Sequence, residues 1–252
     1  MLKKRSKFGL FFVAKSGGAR FELIDTLRGF AVVQMLVFHF CFLLREFDLG
    51  FDDFYYSPFW LNFRTLIVTQ FLLIVGVSLK IATVGGIKKA SYFGRLVQLF
   101  IYGAIVSLTT FLMEPDRVVI FGILQFIFVA SILGLIFVKW SWQNLLIGGA
   151  MVLLALNYSN SQFNQVSLFW IGLMTRAPIT LDYVPLLPWF GVVVIGIYLG
   201  QLVVSGDRFR LVRQWTNKDP VSKLLALIGR HSLNIYMAHV PVFFVFIYFF
   251  LT

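Results

Sequence analysis

Long uninterrupted apolar runs, separated by short polar segments, dominate the chain. Seven of them lie at 29–45, 59–79, 94–112, 118–138, 143–157, 184–204 and 228–250. Apolar runs of about 17–25 residues have the length at which a helix crosses a hydrocarbon core of about 30 Å. A membrane barrel would instead alternate apolar and polar residues. The pattern predicts an all-α, polytopic transmembrane helix bundle of about seven spans, with the short apolar segment 165–174 as an interfacial or re-entrant piece.

The composition excludes most other classes of protein. Hydrophobic residues make up 59% of the chain and charged residues 13%, against about 45–50% and 25% in soluble domains. A soluble enzyme could not bury this much apolar surface, and a disordered chain would be polar. The single cysteine, Cys41, excludes an internal disulfide. A basic cytosolic face explains the net charge of +11, so we expect a lipid bilayer and no nucleic acid as partner.

The distribution of lysine and arginine predicts the orientation of the chain. With the N-terminus inside, all of the 22 lysines and arginines except Arg45, Arg64, Arg117 and Arg176 fall on the cytosolic side. This bias predicts a cytosolic N-terminus and a C-terminus outside. The first apolar stretch, 8–14, is short for a signal peptide. We therefore predict a retained basic cytosolic tail over 1–22 and a single transmembrane domain over 23–252.

Ionisable side chains inside a span are costly and usually mark a functional site. Arg28 and His39 both lie on the first span, eleven residues apart. Eleven residues make about three helical turns, so the two side chains share one face, about 16 Å apart along the axis. An alternative is structural: Asp25 and Arg28 form an interfacial ion pair, and His39 hydrogen-bonds a neighbouring helix.

Two charged residues near the outer boundary have two interpretations each. Asp182 precedes the sixth span, where it is either a charge at a helix start or an acidic partner that orients His39 and stabilises its charged form. Arg64, near the start of the second span, either extends toward the membrane surface or neutralises an outer carboxylate. Both residues are candidates for the site.

Three further polar residues are candidates for substrate contacts or structural support. Gln125 lies within the fourth span, where interhelical hydrogen bonding is the usual role. His231 and His239 are eight residues apart, about 12 Å along a helix, which is too far for one metal ion. Because there is also no thiol pair and no His-Glu-x-x-His sequence, we predict no metal site.

Four sequence stretches together resemble a known family. They are Ile24-Asp25-Thr26-Leu27-Arg28-Gly29-Phe30-Ala31 followed by Met35 and His39, Phe121-Gly122-Ile123-Leu124-Gln125, the run 182–191 (DYVPLLPWFG), and 229–241 (GRHSLNIYMAHVP). These stretches resemble the bacterial branch of the heparan-alpha-glucosaminide N-acetyltransferase catalytic-domain family of membrane acyltransferases. The resemblance extends from 20 to 242, nearly the whole chain.

The resemblance implies transfer of an acyl group from cytosolic acyl-CoA to an acceptor on the far side of the membrane. By this resemblance, His39 takes the position of the histidine that is essential on the first span of the wider acyltransferase group. Arg28 takes the position of the arginine of that group. The lysosomal enzyme is larger, so the acceptor here need not be heparan. We expect an acetyl or short acyl group, an extracytoplasmic glycan or lipid acceptor, a bacterial inner-membrane location and a homodimer.

The charged residues agree with acetyl-CoA or another acyl-CoA as co-substrate. Phosphate groups favour arginine and lysine, and the cytosolic ends of the spans carry Arg28, Lys88, Lys89, Arg95 and Arg230, with Asp25 in support. His39 would then act as general base or carry the acyl group transiently. Both roles stay open, as do two other functions, a membrane transporter or flippase and a non-catalytic scaffold.

Overall fold

Helices form the fold, which we describe from a computed structural model that covers residues 21–84, 86–205, 209, 212 and 214–251. The described residues form helices α1 to α8, and none of them is in a strand. The helices are α1 Glu22–Glu46, α2 Pro58–Thr83, α3 Lys89–Met113, α4 Ile123–Phe137, α5 Gln143–Asn157, α6 Leu186–Ser205, α7 Pro220–Arg230 and α8 Ser232–Phe250. Most of the predicted basic tail, residues 1–20, lies outside the described residues, so the tail and the domain over 23–252 stay predictions.

The predicted all-α membrane bundle is confirmed. Helices α1, α2, α3, α6 and α8 are long and apolar enough to cross a bilayer. Helices α4 and α5 are apolar but have 15 residues each, about 22 Å at 1.5 Å per residue. The predicted start of the fourth span, residue 118, is wrong because the chain before α4 pairs with another loop: the backbone N–H of Val184 donates to the carbonyl of Phe121, and that of Leu181 to Arg117.

The last predicted span, 228–250, contains the apolar helix α8, which begins four residues later, at Ser232, because the residues up to Arg230 belong to α7. His231, between α7 and α8, has a non-helical backbone (φ −104°, ψ 15°). Its N–H donates back to the carbonyl oxygens of Leu227 and Ile228, which closes the end of α7. At the other end of α7, the Asp219 carboxylate accepts from the N–H of Ser222 at 2.8 Å, as an N-cap does. The Gly229-Arg230-His231 sequence therefore lies at a helix junction.

Segment 165–174 folds as part of the long loop between α5 and α6. It contains a short 3-10 helix, Phe169–Ile171, and the side chains of Phe169 and Leu173 are buried. The hydroxyl of Tyr183 donates to the carbonyl of Phe169 at 2.6 Å. The segment is thereby tied to the chain that leads into α6.

Glycines allow the helices to pack backbone against backbone. Helix α2 packs on α1, α4 and α6, α1 also packs on α7 and α8, α6 also packs on α4 and α5, and α3 packs on α4. Where α2 crosses α6, a Cβ atom on Gly76 would lie 2.1 Å from the carbonyl oxygen of Val193. Where α1 crosses α7, a Cβ atom on Gly229 would lie 1.9 Å from the carbonyl oxygen of Asp25. Close crossings at small residues are the usual packing of membrane helices.

We expect Gly229→Ala to destabilise the protein, because the added methyl group must force α1 and α7 apart. The cost of such overpacking is about 1–3 kcal/mol. Gly149 on α5 is a matched control, because a Cβ atom there meets nothing within 4 Å. Thermal unfolding in detergent should show a lower midpoint for Gly229→Ala and an unchanged or higher one for Gly149→Ala. Equal midpoints for the two variants would contradict the packing described.

Candidate functional site

A cavity of about 860 Å³ lies within the helix bundle. Its walls are α1, α2, α3, α4, the loop before α6 and the junction of α7 with α8. Pockets for small molecules and cofactors have volumes of about 300–1,000 Å³. Among the described lining residues, Asp182 is the acidic one, and the arginines are Arg28, Arg64, Arg95 and Arg230. The charge of the walls therefore favours an anionic ligand.

Three of the arginines meet at the predicted cytosolic end of the cavity. Arg28 donates to the Asp25 carboxylate at 3.1 Å and to the hydroxyl of Ser78 at 2.9 Å. The guanidinium of Arg230 lies 3.6 Å from the other oxygen of Asp25. The charges of Arg28 and Arg95 repel each other. Because guanidinium groups bind phosphate with charge-assisted hydrogen bonds, this end could hold a phosphorylated ligand, which would also relieve the repulsion.

His39 lies further along the same wall. Helix α1 is unbroken between Arg28 and His39, so the two are about 16 Å apart along its axis, and both line the cavity. The Nδ1 atom of His39 is 2.9 Å from the carbonyl oxygen of Met35. A carbonyl only accepts, so Nδ1 carries the proton and Nε2 of the neutral ring keeps a lone pair. A ring held in this tautomer can act as a base through Nε2.

Asp182 lines the same cavity as His39, but it does not orient the ring. Its Oδ2 atom accepts from the backbone N–H of Ile123 at 2.8 Å, so the helix start that it caps belongs to α4 and not to the following helix, α6. No hydrogen bond joins Asp182 to His39 among the described residues. Burial raises the pKa of the Asp182 carboxyl, and the Ile123 N–H and the charges of His39 and Arg64 oppose that shift. The two side chains thus interact through their charges only.

We expect Asp182→Ala and Asp182→Asn to differ in stability. Alanine leaves the partly buried N–H of Ile123 without this partner, at a cost of up to about 1–3 kcal/mol, whereas the asparagine oxygen can still accept from it. Thermal unfolding should therefore give a lower midpoint for the alanine variant and a nearly unchanged one for asparagine. If both variants unfold like the original protein, Asp182 does not hold the start of α4.

The remaining candidates fall into two groups, and the first lies away from the cavity. Lys88 and Lys89 are exposed at the start of α3 and do not line the cavity. The side-chain amide of Gln125 donates to the carbonyl of Gly103 at 3.0 Å and to the hydroxyl of Ser107 at 2.9 Å. Gln125 therefore ties α4 to α3, which is the interhelical role that such a residue commonly has.

The second group lies at the cavity or directly behind it. His231 and Arg64 line it, the first at the α7–α8 junction and the second near the predicted outer end of α2. His239 is buried behind His39, and the centroids of their rings are 4.7 Å apart. Sequence reasoning placed His39 and His239 on separate spans and gave no sign that they touch.

A second, smaller pocket of about 210 Å³ lies beyond His39, at the predicted outer surface. Four of its nine lining residues are aromatic, and it shares with the main cavity the residues Phe38, Arg64, Thr180 and Leu181. At its rim, Arg117 is paired with Glu46 and with Glu114. Burial and the Glu46 carboxylate raise the pKa of Tyr55 in this rim to about 12. The two pockets are therefore neighbours with a common wall.

Sequence reasoning missed two polar residues of the site. Ser78 on α2 receives a hydrogen bond from Arg28, and a serine within an apolar span gave no signal of that partner. Tyr236 on α8 lines the cavity, where the charge of Asp182 acts on it. Its position three residues before His239 was the signal that could have found it, because residues three apart share a helix face.

The fold and the cavity define an integral membrane protein that encloses a cationic, histidine-bearing site. The chain belongs to the family described as heparan-alpha-glucosaminide N-acetyltransferase, catalytic, which it matches over residues 20–241. The family implies a membrane acyltransferase that uses acetyl-CoA as donor. No curated protein and no solved structure matches the chain. In the described ranges, no three His, Cys, Asp or Glu side chains come together in a way that could hold a metal ion.

Proposed function

We propose that the protein moves an acetyl or short acyl group from cytosolic acyl-CoA to an extracytoplasmic glycan or lipid, in the inner membrane of a bacterium. The observation that carries this proposal is one cavity with arginines at one end and His39 about 16 Å along the same helix. Acyl-CoA has the matching shape: phosphate groups at one end, a long pantetheine arm, and a thioester at the other end.

Arg95 and Arg230 are the arginines that we assign to the phosphates of the donor. Both line the cationic end. Arg28 lines it too, and its guanidinium bonds both to Asp25, which also pairs with Arg230, and to Ser78 on α2. We therefore assign Arg28 a mixed role, in which it joins α1 to α2 and adds positive charge. Lys88 and Lys89, exposed outside the cavity, attract the donor to the entrance.

His39 is the base of the proposed reaction. Its Nε2 lone pair takes the proton of the acceptor hydroxyl or amine while the acceptor oxygen or nitrogen bonds to the acyl carbon. The thioester C–S bond breaks, and the CoA thiolate recovers the proton from His39. A carrier route, in which Nε2 itself holds the acyl group between two transfers, uses the same lone pair. The acceptor arrives from the smaller pocket beside Phe38 and Arg64.

Labelled acetyl-CoA tests this function. Purified protein in vesicles is incubated with the label and an extract of envelope glycans and lipids, and the products are identified by mass. We expect a labelled product that is absent when His39→Ala replaces the original protein. Failure to bind acetyl-CoA, together with movement of an envelope molecule across the vesicle membrane, would instead indicate a transporter. If the His39→Ala variant keeps both the activity and the cellular phenotype of the original protein, the protein is a non-catalytic scaffold.

A further inference from the structure

His239 on α8 is buried against the proposed base and takes no part in lining the cavity. It is 5% exposed, and its ring stands at 88° to that of His39, with the centroids 4.7 Å apart. The rings of Tyr236 and Phe243 enclose it from its own helix. His239 therefore touches the base and lies outside the lining that a substrate would contact.

One nitrogen of His239 has no partner. Its Nδ1 atom is 2.5 Å from the carbonyl oxygen of Tyr236, so Nδ1 is the donor and Nε2 keeps a lone pair. In the described structure, that Nε2 atom is buried without a hydrogen-bond partner. A buried polar atom left unpaired destabilises the folded protein, and a phenylalanine would fill the same space without that penalty. Packing alone therefore does not explain a histidine here.

We propose that His239 is a positioning residue that stabilises His39 while His39 carries the proton of the acceptor. The proposal rests on the function proposed above. In that reaction, positive charge develops on the His39 ring and disappears when the CoA thiolate takes the proton. The His239 ring, which carries the buried and unpaired Nε2, packs against the His39 ring, and an electrostatic interaction inside a protein is stronger than the same interaction in water.

The other charges that act on His39 come from different elements. Asp182, in the loop before α6, acts on it through its charge, and the charge of Arg64 on α2 acts in turn on Asp182. Met35, on α1 itself, fixes the tautomer through its carbonyl. His239 adds a second neutral acceptor to the Met35 carbonyl, on a ring that packs directly against that of His39.

Two substitutions of His239 separate an acceptor role from a space-filling role. His239→Gln keeps an oxygen that can accept, whereas His239→Phe keeps a ring and loses the acceptor. We expect His239→Phe to lower kcat about tenfold, the effect of one hydrogen-bond acceptor of about 1.4 kcal/mol, with an unchanged KM for acetyl-CoA. His239→Gln should keep most of kcat. Val240→Ala, at the next and exposed position, is the control and should match the original protein.

The opposite order of activities would overturn the proposal. A space-filling role predicts that phenylalanine is tolerated and that glutamine is not. If His239→Phe does not fold, His239→Leu and His239→Asn make the same comparison. A His239→Leu variant that is at least as active as His239→Asn would overturn the proposal. Acetyl transfer by the original protein must be measured beside the variants. Its absence would overturn the proposed function itself, whereas transfer that is equal in the original and phenylalanine forms would overturn only the role of His239.

Discussion

His39→Ala should reduce acyl transfer by about 10²–10⁴-fold, the contribution of a general base. The variant should still insert into the membrane and bind acetyl-CoA, because the arginines to which we assign the donor phosphates lie about 16 Å away along the helix axis. The hydrogen bond from Nδ1 to Met35 stays within one helix, so its loss should leave the helix packing intact. Initial rates with labelled acetyl-CoA measure the first effect, and equilibrium binding of acetyl-CoA measures the second.

Cys41→Ala is the matched control for this substitution. Cys41 lies two residues further along α1, and its side chain does not line the cavity. Cys41→Ala should keep the original rate. A fall in rate that is equal in both variants would mean that the helix, and not the imidazole, is required. Retained transfer by His39→Ala would exclude His39 as base and as acyl carrier.

Arg95→Gln should raise the Kd for acetyl-CoA about 10- to 100-fold, because a hydrogen bond to a charged group contributes about 1.5–3 kcal/mol and 1.4 kcal/mol is a factor of ten. The rate at saturating donor should change little, since the thioester still reaches His39. Isothermal titration with acetyl-CoA measures the Kd directly. Lys223→Gln, a loss of the same charge at an exposed position of α7, should leave the Kd unchanged.

Acetyl-pantetheine provides a further control for Arg95, because it has the thioester and the arm but no phosphates. With this donor, Arg95→Gln and the original protein should react at equal rates. An equal loss with acetyl-CoA and with acetyl-pantetheine would mean that Arg95 supports the cavity structurally and does not bind phosphate.

Hydrophobic pattern predicted the membrane bundle well, because continuous apolar runs in a chain this poor in charge have one stable arrangement. It failed where tertiary contacts decide the helix ends. The segment before α4 pairs with the loop before α6 through Leu181 and Val184, and His231 breaks the last predicted span. These contacts join parts of the chain far apart in sequence, so no local pattern contains them.

For the candidate site, helical periodicity correctly predicted which residues of one helix lie on the same wall of the cavity. It did not predict which residues of different helices touch. Arg28 and His39 line one cavity, as eleven-residue spacing indicates for an unbroken helix. The sequence proposed Asp182 as the partner that orients His39, whereas Met35 holds that position and His239 supplies the ring contact. The contact between α1 and α8 depends on how these helices dock, and periodicity within one helix cannot give that docking.

The central claim is that one donor molecule extends from the arginines to His39, and a photoreactive acyl-CoA tests it most directly. An analogue with a diazirine at the end of its acyl chain is bound, irradiated and mapped by peptide mass analysis. We expect the label on α1 between Met35 and His39, or on Tyr236 of α8, which packs against the cluster that contains Met35, and unlabelled acetyl-CoA should prevent it. Label confined to the exposed faces of the helices, or unaffected by acetyl-CoA, would contradict the account.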